Sequence, residues 1–341
     1  MKKVLIVATG RHTKGGITSV IKIHEKMNFW KEHNCEWLET HCDGNMVKKN
    51  IMFLRAFLKF TFKIFNVKII HVHLSWKISV LRKLPFIVLA KFFNKKIIIH
   101  VHASAETTYL KHKFLYKIVF VLADKIIFIY PSFFKKSNDL LKNKSTLVFN
   151  PVMDSSIVDL SKKKNQIVYL GSLNEKKGVF DLIIAFRKIS KKNPLWSLKI
   201  GGTGDFIKCE ILITKLNLES KVDLLGWVDG EAKQKLLEES MIFCLPSYTE
   251  GFPMSLIEAW QHKVVPIASN VGGIPDVLID KVNGLLIKPG DINRLSENLE
   301  LIISNKKLYI SLQIEAERTY KKSFENTKID ANLSKIYASL C

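Results

Sequence analysis

A chain of 341 residues is too long for one ordinary domain and fits two, and its 47% apolar content supplies a core for each. No segment approaches the roughly 18 uncharged apolar residues needed to span a bilayer. The formal charge of +22 is one-sided: residues 1–164 hold 30 Lys and Arg against 10 Asp and Glu, and residues 165–341 hold 23 against 21. A first half this basic suits a polyanion or an anionic surface, a need the second half does not share.

The opening stretch, "MKKVLIVATGRHTKGG", starts basic, but its apolar run covers only Val4 to Ala8 before a polar glycine loop. It reads as a first β-strand and not as a secretion signal. "KKNIMFLRAFLKFTFKIFN" predicts a helix with Met52, Arg55, Lys59 and Lys63 as a mainly basic stripe, and with phenylalanine, leucine and isoleucine over most of the remainder. Such a helix suits an anionic lipid interface; the plainer reading is a core-packed helix with an ordinary basic face. "LRKLPFIVLAKFFNKK" and "LKHKFLYKIVFVL" repeat the theme, and positions 51–100 contain ten basic residues and no acidic one.

"VKIIHVH", "KKIIIHVH" and "ADKIIFIY" are continuous apolar runs of strand length, as expected of parallel strands buried on both faces. By strand alternation His100 and His102 point to one face, with His102 nearer the end where ligands bind. His71 and His73 form a second such pair, read as a wall or structural element. After a polar linker at "DSSIVDLSKKKNQ", the second half repeats the scheme with "NQIVYLGS", "WSLKIGG", "KVDLLGW", "MIFCLPS" and "VVPIASN". Helical segments such as "VFDLIIAFRKISKK" and "GEAKQKLLEES" lie between them, completing βα units. The expected architecture is α/β: two Rossmann-like doubly wound domains facing across a cleft. The five cysteines show no metal-ligand spacing, and no clustered His/Cys pattern is visible; buried thiols in a reducing cytoplasm fit them.

Glycines fall at four strand exits, at Gly15-Gly16, Gly171, Gly201-Gly202 with Gly204, and Gly272-Gly273. In doubly wound sheets ligands lie beyond the carboxyl ends of the strands, so these turns point to a phosphate-bearing ligand. "SYTEGFPMSLIEAW" reads as an exit loop carrying Glu250, then a helix with Pro253 first and Glu258 more than a turn inside. The amides of Met254 and Ser255 lack intrahelical partners and form an anion site. The two carboxylates could be an acid/base pair, two acceptors for sugar hydroxyls, or ordinary carboxylates at a helix start. Lys176 and Lys177 precede Gly178 at another exit, where a lysine could neutralise a leaving diphosphate.

On these residues the chain resembles the group 4 retaining GT-B glycosyltransferases ("glycosyl transferases group 1"), with the likeness strongest from Val168 to Asp291. The E-x7-E motif of that family is matched by Glu250 and Glu258 within "PSYTEGFPMSLIEAWQHKVVPIASNVGGIPDVL"; "GSLNEKKG", "GGTGD", "LLGWV" and "VNGLLIKPGD" match further elements. In the first half, "TKGGITSV", "HVHASA" and "ADKIIFIYPS" look like its acceptor-domain loops. The resemblance implies a nucleotide-sugar donor whose ribose is bound by Glu258 and whose sugar is contacted by Glu250 and His102. Lys177 and the amides following Gly251, through Phe252, Met254 and Ser255, would hold the diphosphate. The backbone near Trp227 and Val228 would receive the base, and Gly16 would let a first-domain loop approach the phosphate. Members typically need no metal. Ser172 stands where the family usually has arginine, which removes one expected phosphate clamp.

The domains implied are residues 1–155 for the acceptor and the membrane, 156–322 for the donor, and 323–341 as a helix crossing back to the first. The function implied is sugar transfer to a lipid-linked saccharide or lipid glycan by a cytoplasmic enzyme peripheral on the anionic inner face of the cell membrane. A glycoside hydrolase would need two carboxylates but no converging lysine, glycine turn and helix start. A nucleic-acid-binding protein would carry its basic residues on a solvated arm, whereas here they are interleaved with large apolar side chains, so no nucleic-acid partner is expected.

Overall fold

The computed structural model describes residues 3–13, 15–75, 77–102, 113–136, 141, 143–155 and 158–340. The chain divides into two compact units, Met1–Val152 with Phe324–Cys341, and Met153–Ser323.

The first unit is built on a six-stranded parallel sheet in the order β2-β1-β3-β4-β5-β6. Its strands are β1 (Val4–Ala8), β2 (Cys35–Glu39), β3 (Ile69–Leu74), β4 (Lys96–Val101), β5 (Lys125–Phe128) and β6 (Ser145–Leu147). Alternate residues of β1, β3, β4 and β5 feed two cores. Leu5, Val7, Ile70, Val72, Ile97 and Ile99 face one side. There they pack against α3 (Met46–Lys63), α4 (Lys77–Phe92) and α5 (Lys113–Leu122), chiefly through Phe60, Phe86, Ile87 and Phe120. Val4, Ile6, Ile69, Ile98 and Ile127 face the other side. That side is covered by α1 (Gly16–His24), α2 (Asn28–Glu32) and α13 (Asn326–Ala338), through Ile21, Phe29, Leu333 and Tyr337. A short helix, α6 (Pro131–Lys136), follows β5.

Local signals set the helix ends. The Asn45 side chain accepts from the Lys48 amide at 3.0 Å to cap α3, a contact whose loss typically costs about 1 kcal/mol. Asp330, from α13, does the same in trans, accepting from the Asn28 and Phe29 amides at 3.1 and 2.8 Å. No helix among the described residues is long and apolar enough to cross a membrane.

The second unit carries another parallel sheet, ordered β12-β11-β10-β7-β8-β9. Its strands are β7 (Lys164–Leu170), β8 (Ser197–Gly201), β9 (Val222–Gly226), β10 (Ser240–Leu245), β11 (Val265–Ser269) and β12 (Leu285–Ile287). The helices are α7 (Val179–Ser190), α8 (Phe206–Lys215), α9 (Gly230–Glu239), α10 (Met254–Gln261), α11 (Ile292–Ser304) and α12 (Lys306–Ser323). This is the dinucleotide-fold order, in which the chain builds outward from β7 through β8 and β9, then returns to start again at β10 on the other side. The topological switch point therefore lies between the neighbours β7 and β10, where a ligand crevice forms beyond the strand ends.

Candidate active site

The loops leaving β7 and β10 meet at that switch point. Lys177 closes a single 3-10 turn (Glu175–Lys177) capped by Asn174, and its Nζ donates to Glu250 Oε1 at 2.6 Å and to the Thr249 carbonyl at 3.3 Å. Ser247 Oγ donates to the same carboxylate oxygen at 2.8 Å. Glu250 is almost sheathed, with 8% of its side chain exposed against 27% for Lys177, so the pair is shielded from bulk water. The Tyr248 amide donates to the Lys176 carbonyl at 2.9 Å and its hydroxyl to Asp181 at 2.8 Å, tying the two loops together. Gly178 is required in this seam: its φ is +68°, and a Cβ there would lie 2.0 Å from the Pro246 carbonyl oxygen.

The loop after β10 then enters α10. Pro253 is the cap residue, with φ −74° and ψ 111°, so the helix begins one position later than its sequence suggests. Met254 and Ser255 are consequently its first two residues, and both are half-buried. Their amides, lacking carbonyl partners one turn back, mark the positive end of the helix dipole. Phe252 is buried and anchors the entry, while the Gly251 carbonyl accepts from the Gly273 amide at 2.8 Å. Glu258 lies on the following turn of α10. Its carboxylate accepts from Lys233 Nζ, from α9, at 2.5 Å, with 13% and 23% of the two side chains exposed.

Each glutamate of the pair thus holds its own lysine. Two ammonium groups and a helix N-terminus around two carboxylates form a site that can take a diphosphate at its centre and hydroxyl groups at its flanks. Sequence reading found Lys177 and missed Lys233 and Ser247; no spacing rule links a residue on α9 to one 25 positions later on α10. Val228 lies just past the end of β9, half-buried beside Gly201, and its neighbour Trp227 is exposed with its indole N–H donating to Asp229 at 2.8 Å. At Ser172 the backbone carbonyl accepts from the Tyr169 hydroxyl at 2.8 Å.

Two candidate residues belong to the first unit. Gly16 opens α1 and is exposed. His102 follows β4, with its amide donating to the Leu74 carbonyl at 2.8 Å and its Nε2 hydrogen-bonded to His73 Nδ1, also at 2.8 Å. Burial, then the charges of His24 and Lys83, push its pKa down to about 3, so the ring is neutral near pH 7 and works as a hydrogen-bond partner. The stacking of His102 on His100 at 4.2 Å between centroids puts both on one strand face, and His71 and His73 stack beside them at 4.5 Å. No clustered pattern is legible in the sequence, yet the pairing of β3 with β4 assembles one in space.

The basic stripe of α3 has a different setting from the one its sequence suggests. Arg55, Lys59 and Lys63 border a cavity of about 1050 Å³ alongside β2, shared with Glu36, Trp37 and Glu39. Lys63 is paired with Glu36. The outward stripe of α3 is apolar: Val47, Ile51, Leu54, Leu58 and Phe62 are exposed, as are Ile78, Leu81, Val88 and Phe92 on α4 and Phe114 on α5.

Residues 154–319 match the family "Glycosyl transferases group 1". An uncharacterized glycosyltransferase of Methanocaldococcus jannaschii is 28% identical over 232 residues, 68% of this chain and 64% of that protein. The lipopolysaccharide 1,6-galactosyltransferase of Escherichia coli K12 is 30% identical over 202 residues, 57% of this chain and 51% of that one. The chain therefore spans less than two thirds of the length of these relatives. Among solved structures, Anabaena HepE in complex with UDP superposes with a TM-score of 0.74 at 16% identity, covering 99% of this chain and 100% of that one. At that identity the likeness carries the fold, which is GT-B. Over residues 154–319, which carry Glu250 and Glu258 at the switch point, the chain is similar to the glycosyl transferases group 1 family.

Proposed function

We propose that the protein is a retaining glycosyltransferase that moves a sugar from a nucleoside diphosphate sugar to a lipid-linked saccharide or lipid glycan. The carrying observation is the pair of lysine–glutamate contacts that bracket the start of α10, Lys177–Glu250 on the loop side and Lys233–Glu258 on the helix side. The donor diphosphate would lie against the amides of Met254 and Ser255. Lys177 would then turn from Glu250 toward the phosphate charge, leaving that carboxylate free to accept from a sugar hydroxyl. Glu258, held by Lys233, would accept from the ribose hydroxyls. When the bond between the anomeric carbon and the diphosphate breaks, the negative charge gathers on the departing diphosphate, where the ammonium and the helix amides are already aimed. That arrangement supports a leaving group without a strong general acid and without a metal.

The lipid acceptor is supported by the outer side of α3, α4 and α5. An apolar stripe there is flanked by lysines and arginines and carries almost no acid, a composition fitted to the anionic inner face of a cell membrane. Each basic residue near such a surface contributes about 1 kcal/mol, screened by salt. The relative from Escherichia coli is named for an acceptor of the lipopolysaccharide class, which agrees with this reading.

A nucleotide-release assay across UDP-, GDP- and ADP-sugars tests the donor half. One donor should turn over, and Glu258→Ala should slow it by about 100-fold or more; no binding and no turnover with any donor would overturn the proposal. Flotation with anionic liposomes tests the membrane half: binding at low salt that is lost at high salt is expected, and no binding at low salt refutes it. Filter binding to DNA, expected to be weak, separates the nucleic-acid reading.

A further inference from the structure

The first unit contains a group of side chains that sugar transfer does not use. On the face of its sheet covered by α1, α2 and α13, His71 and His73 of β3 lie beside His100 of β4, with His73 and His100 in register. The three residues are fully buried. Their rings stack, with centroids 4.5 Å apart for His71 and His73, 4.8 Å for His73 and His100, and 5.4 Å for His71 and His100. One ring nitrogen from each lies within 4.8 Å of those of the other two.

The hydrogen bonding of these rings is uneven in an informative way. His71 Nδ1 is bonded to the Tyr337 hydroxyl at 2.6 Å, and His73 Nδ1 to His102 Nε2 at 2.8 Å. Their Nε2 atoms, and both nitrogens of His100, are buried with no partner among the described residues. Buried imidazole nitrogens without partners are costly and call for an occupant. An imidazole fixed through one nitrogen, with the other left open toward neighbouring imidazoles, is the arrangement that orients histidines for a metal. His24 of α1 packs 6.1 Å from His73 and 6.5 Å from His100, centre to centre, and both its nitrogens are also unpartnered among the described residues.

We propose that His71, His73 and His100 form a buried three-imidazole site for a divalent transition metal of the zinc class. Tyr337 and His102 would be the positioning residues behind two of the ligands, and His24 lies beside the open fourth position. Imidazole nitrogen suits zinc, copper and nickel over magnesium or calcium, which take oxygen. A tetrahedral zinc with bonds of 2.0–2.1 Å sets its nitrogens about 3.4 Å apart with each ring plane directed at the ion, so on binding the stacked rings turn out of their near-parallel planes and close inward by roughly 1 Å. Burial keeps these imidazoles neutral, the form a metal requires. None of the three ligands is itself a donor-binding candidate, although His102, which is one, lies directly against His73 and His100. Its ion would fasten β3 to β4 and, through Tyr337, hold α13 on the sheet.

The test uses the untagged full chain, stripped with chelator and titrated with zinc, then with cobalt(II) as a visible probe. About one zinc per chain should bind. Cobalt should give the visible bands of a tetrahedral nitrogen site without thiolate charge transfer, which separates it from any site at Cys35 or Cys42. His100→Phe should abolish binding, and Tyr337→Phe should weaken it about 10- to 100-fold. His12→Ala, an exposed histidine elsewhere in the unit, should change nothing. If His100→Phe fails to fold, the cobalt spectrum of the wild type and the effect of Tyr337→Phe decide alone. No zinc and no cobalt spectrum, a spectrum with thiolate bands, or equal loss in His12→Ala would each overturn the proposal.

Discussion

The loop that carries Glu250 is clamped between two neighbours, and replacing Gly272 by alanine tests how much its position matters. Gly272 has φ +59°, and an added Cβ would lie 2.1 Å from the Glu250 carbonyl oxygen and 3.0 Å from that of Gly251. Ordinary contact begins at 3.4 Å, so the two backbones must part by about 1.3 Å, and neither obstacle is the end of a flexible side chain. The left-handed backbone costs alanine about 1 kcal/mol, and the forced separation about 2 kcal/mol more. A total near 3 kcal/mol should appear in urea unfolding. Moving Glu250 by about an ångström should also weaken binding of the preferred nucleotide sugar by about 10- to 100-fold in titration calorimetry. Gly226 is the control: its φ is +68° but nothing lies within 4 Å of an added Cβ, so Gly226→Ala should cost only about 1 kcal/mol. Equal losses from the two substitutions, or unchanged donor affinity in Gly272→Ala, would refute the reasoning.

Lys233→Met removes the ammonium that holds Glu258, and donor affinity should fall about 10-fold in the same calorimetry with little change in thermal stability; an unchanged affinity would make the contact a surface pair. His262 is buried, and desolvation lowers its pKa although its Nδ1 donates to the Glu258 carbonyl at 2.8 Å. Its folded pKa is below the unfolded value near 6.5, so stability is lost as pH falls through that value; His262→Gln should flatten the slope of unfolding free energy below pH 6.5 by up to about 1.4 kcal/mol per pH unit. Burial raises the Cys35 thiol to about 12 and the Cys209 thiol to about 11, and raises Cys244 further. Brief alkylation at neutral pH followed by peptide mapping should therefore find Cys42 labelled first among the four described cysteines.

Most of both sheets is legible in the sequence because the inner strands are buried on both faces and read as unbroken apolar runs. The strands not legible, β2, β6 and β12, are all at sheet edges. "CEWLE" carries two glutamates and "STL" is only half-buried, so neither has the double burial that writes such a run. At the site, Lys177, Glu250 and Glu258 are legible because a strand exit and a helix start fix them locally. Lys233 is not, because its relation to Glu258 exists only once α9 and α10 flank the same strand. The α3 stripe shows a further limit. Periodicity identifies the basic line correctly, but which line faces the cavity beside β2 depends on where Phe60 and Ala56 seat the helix.

The return of residues 324–340 to the first unit has a consequence for how the chain is made. The second unit is an insertion within the first, entered at Met153 and left at Ser323. During synthesis it emerges whole, with every strand of its sheet, before the first unit has received Ile329, Leu333 and Tyr337 for its core or Asp330 for the start of α2. The later unit can therefore mature first, leaving the earlier one with a face of its sheet only partly covered, by α1 and α2, while more than 170 residues are added. Chains arrested short of α13 should expose that face to chaperones, and the ribosome, more than the solvent, sets how long it waits.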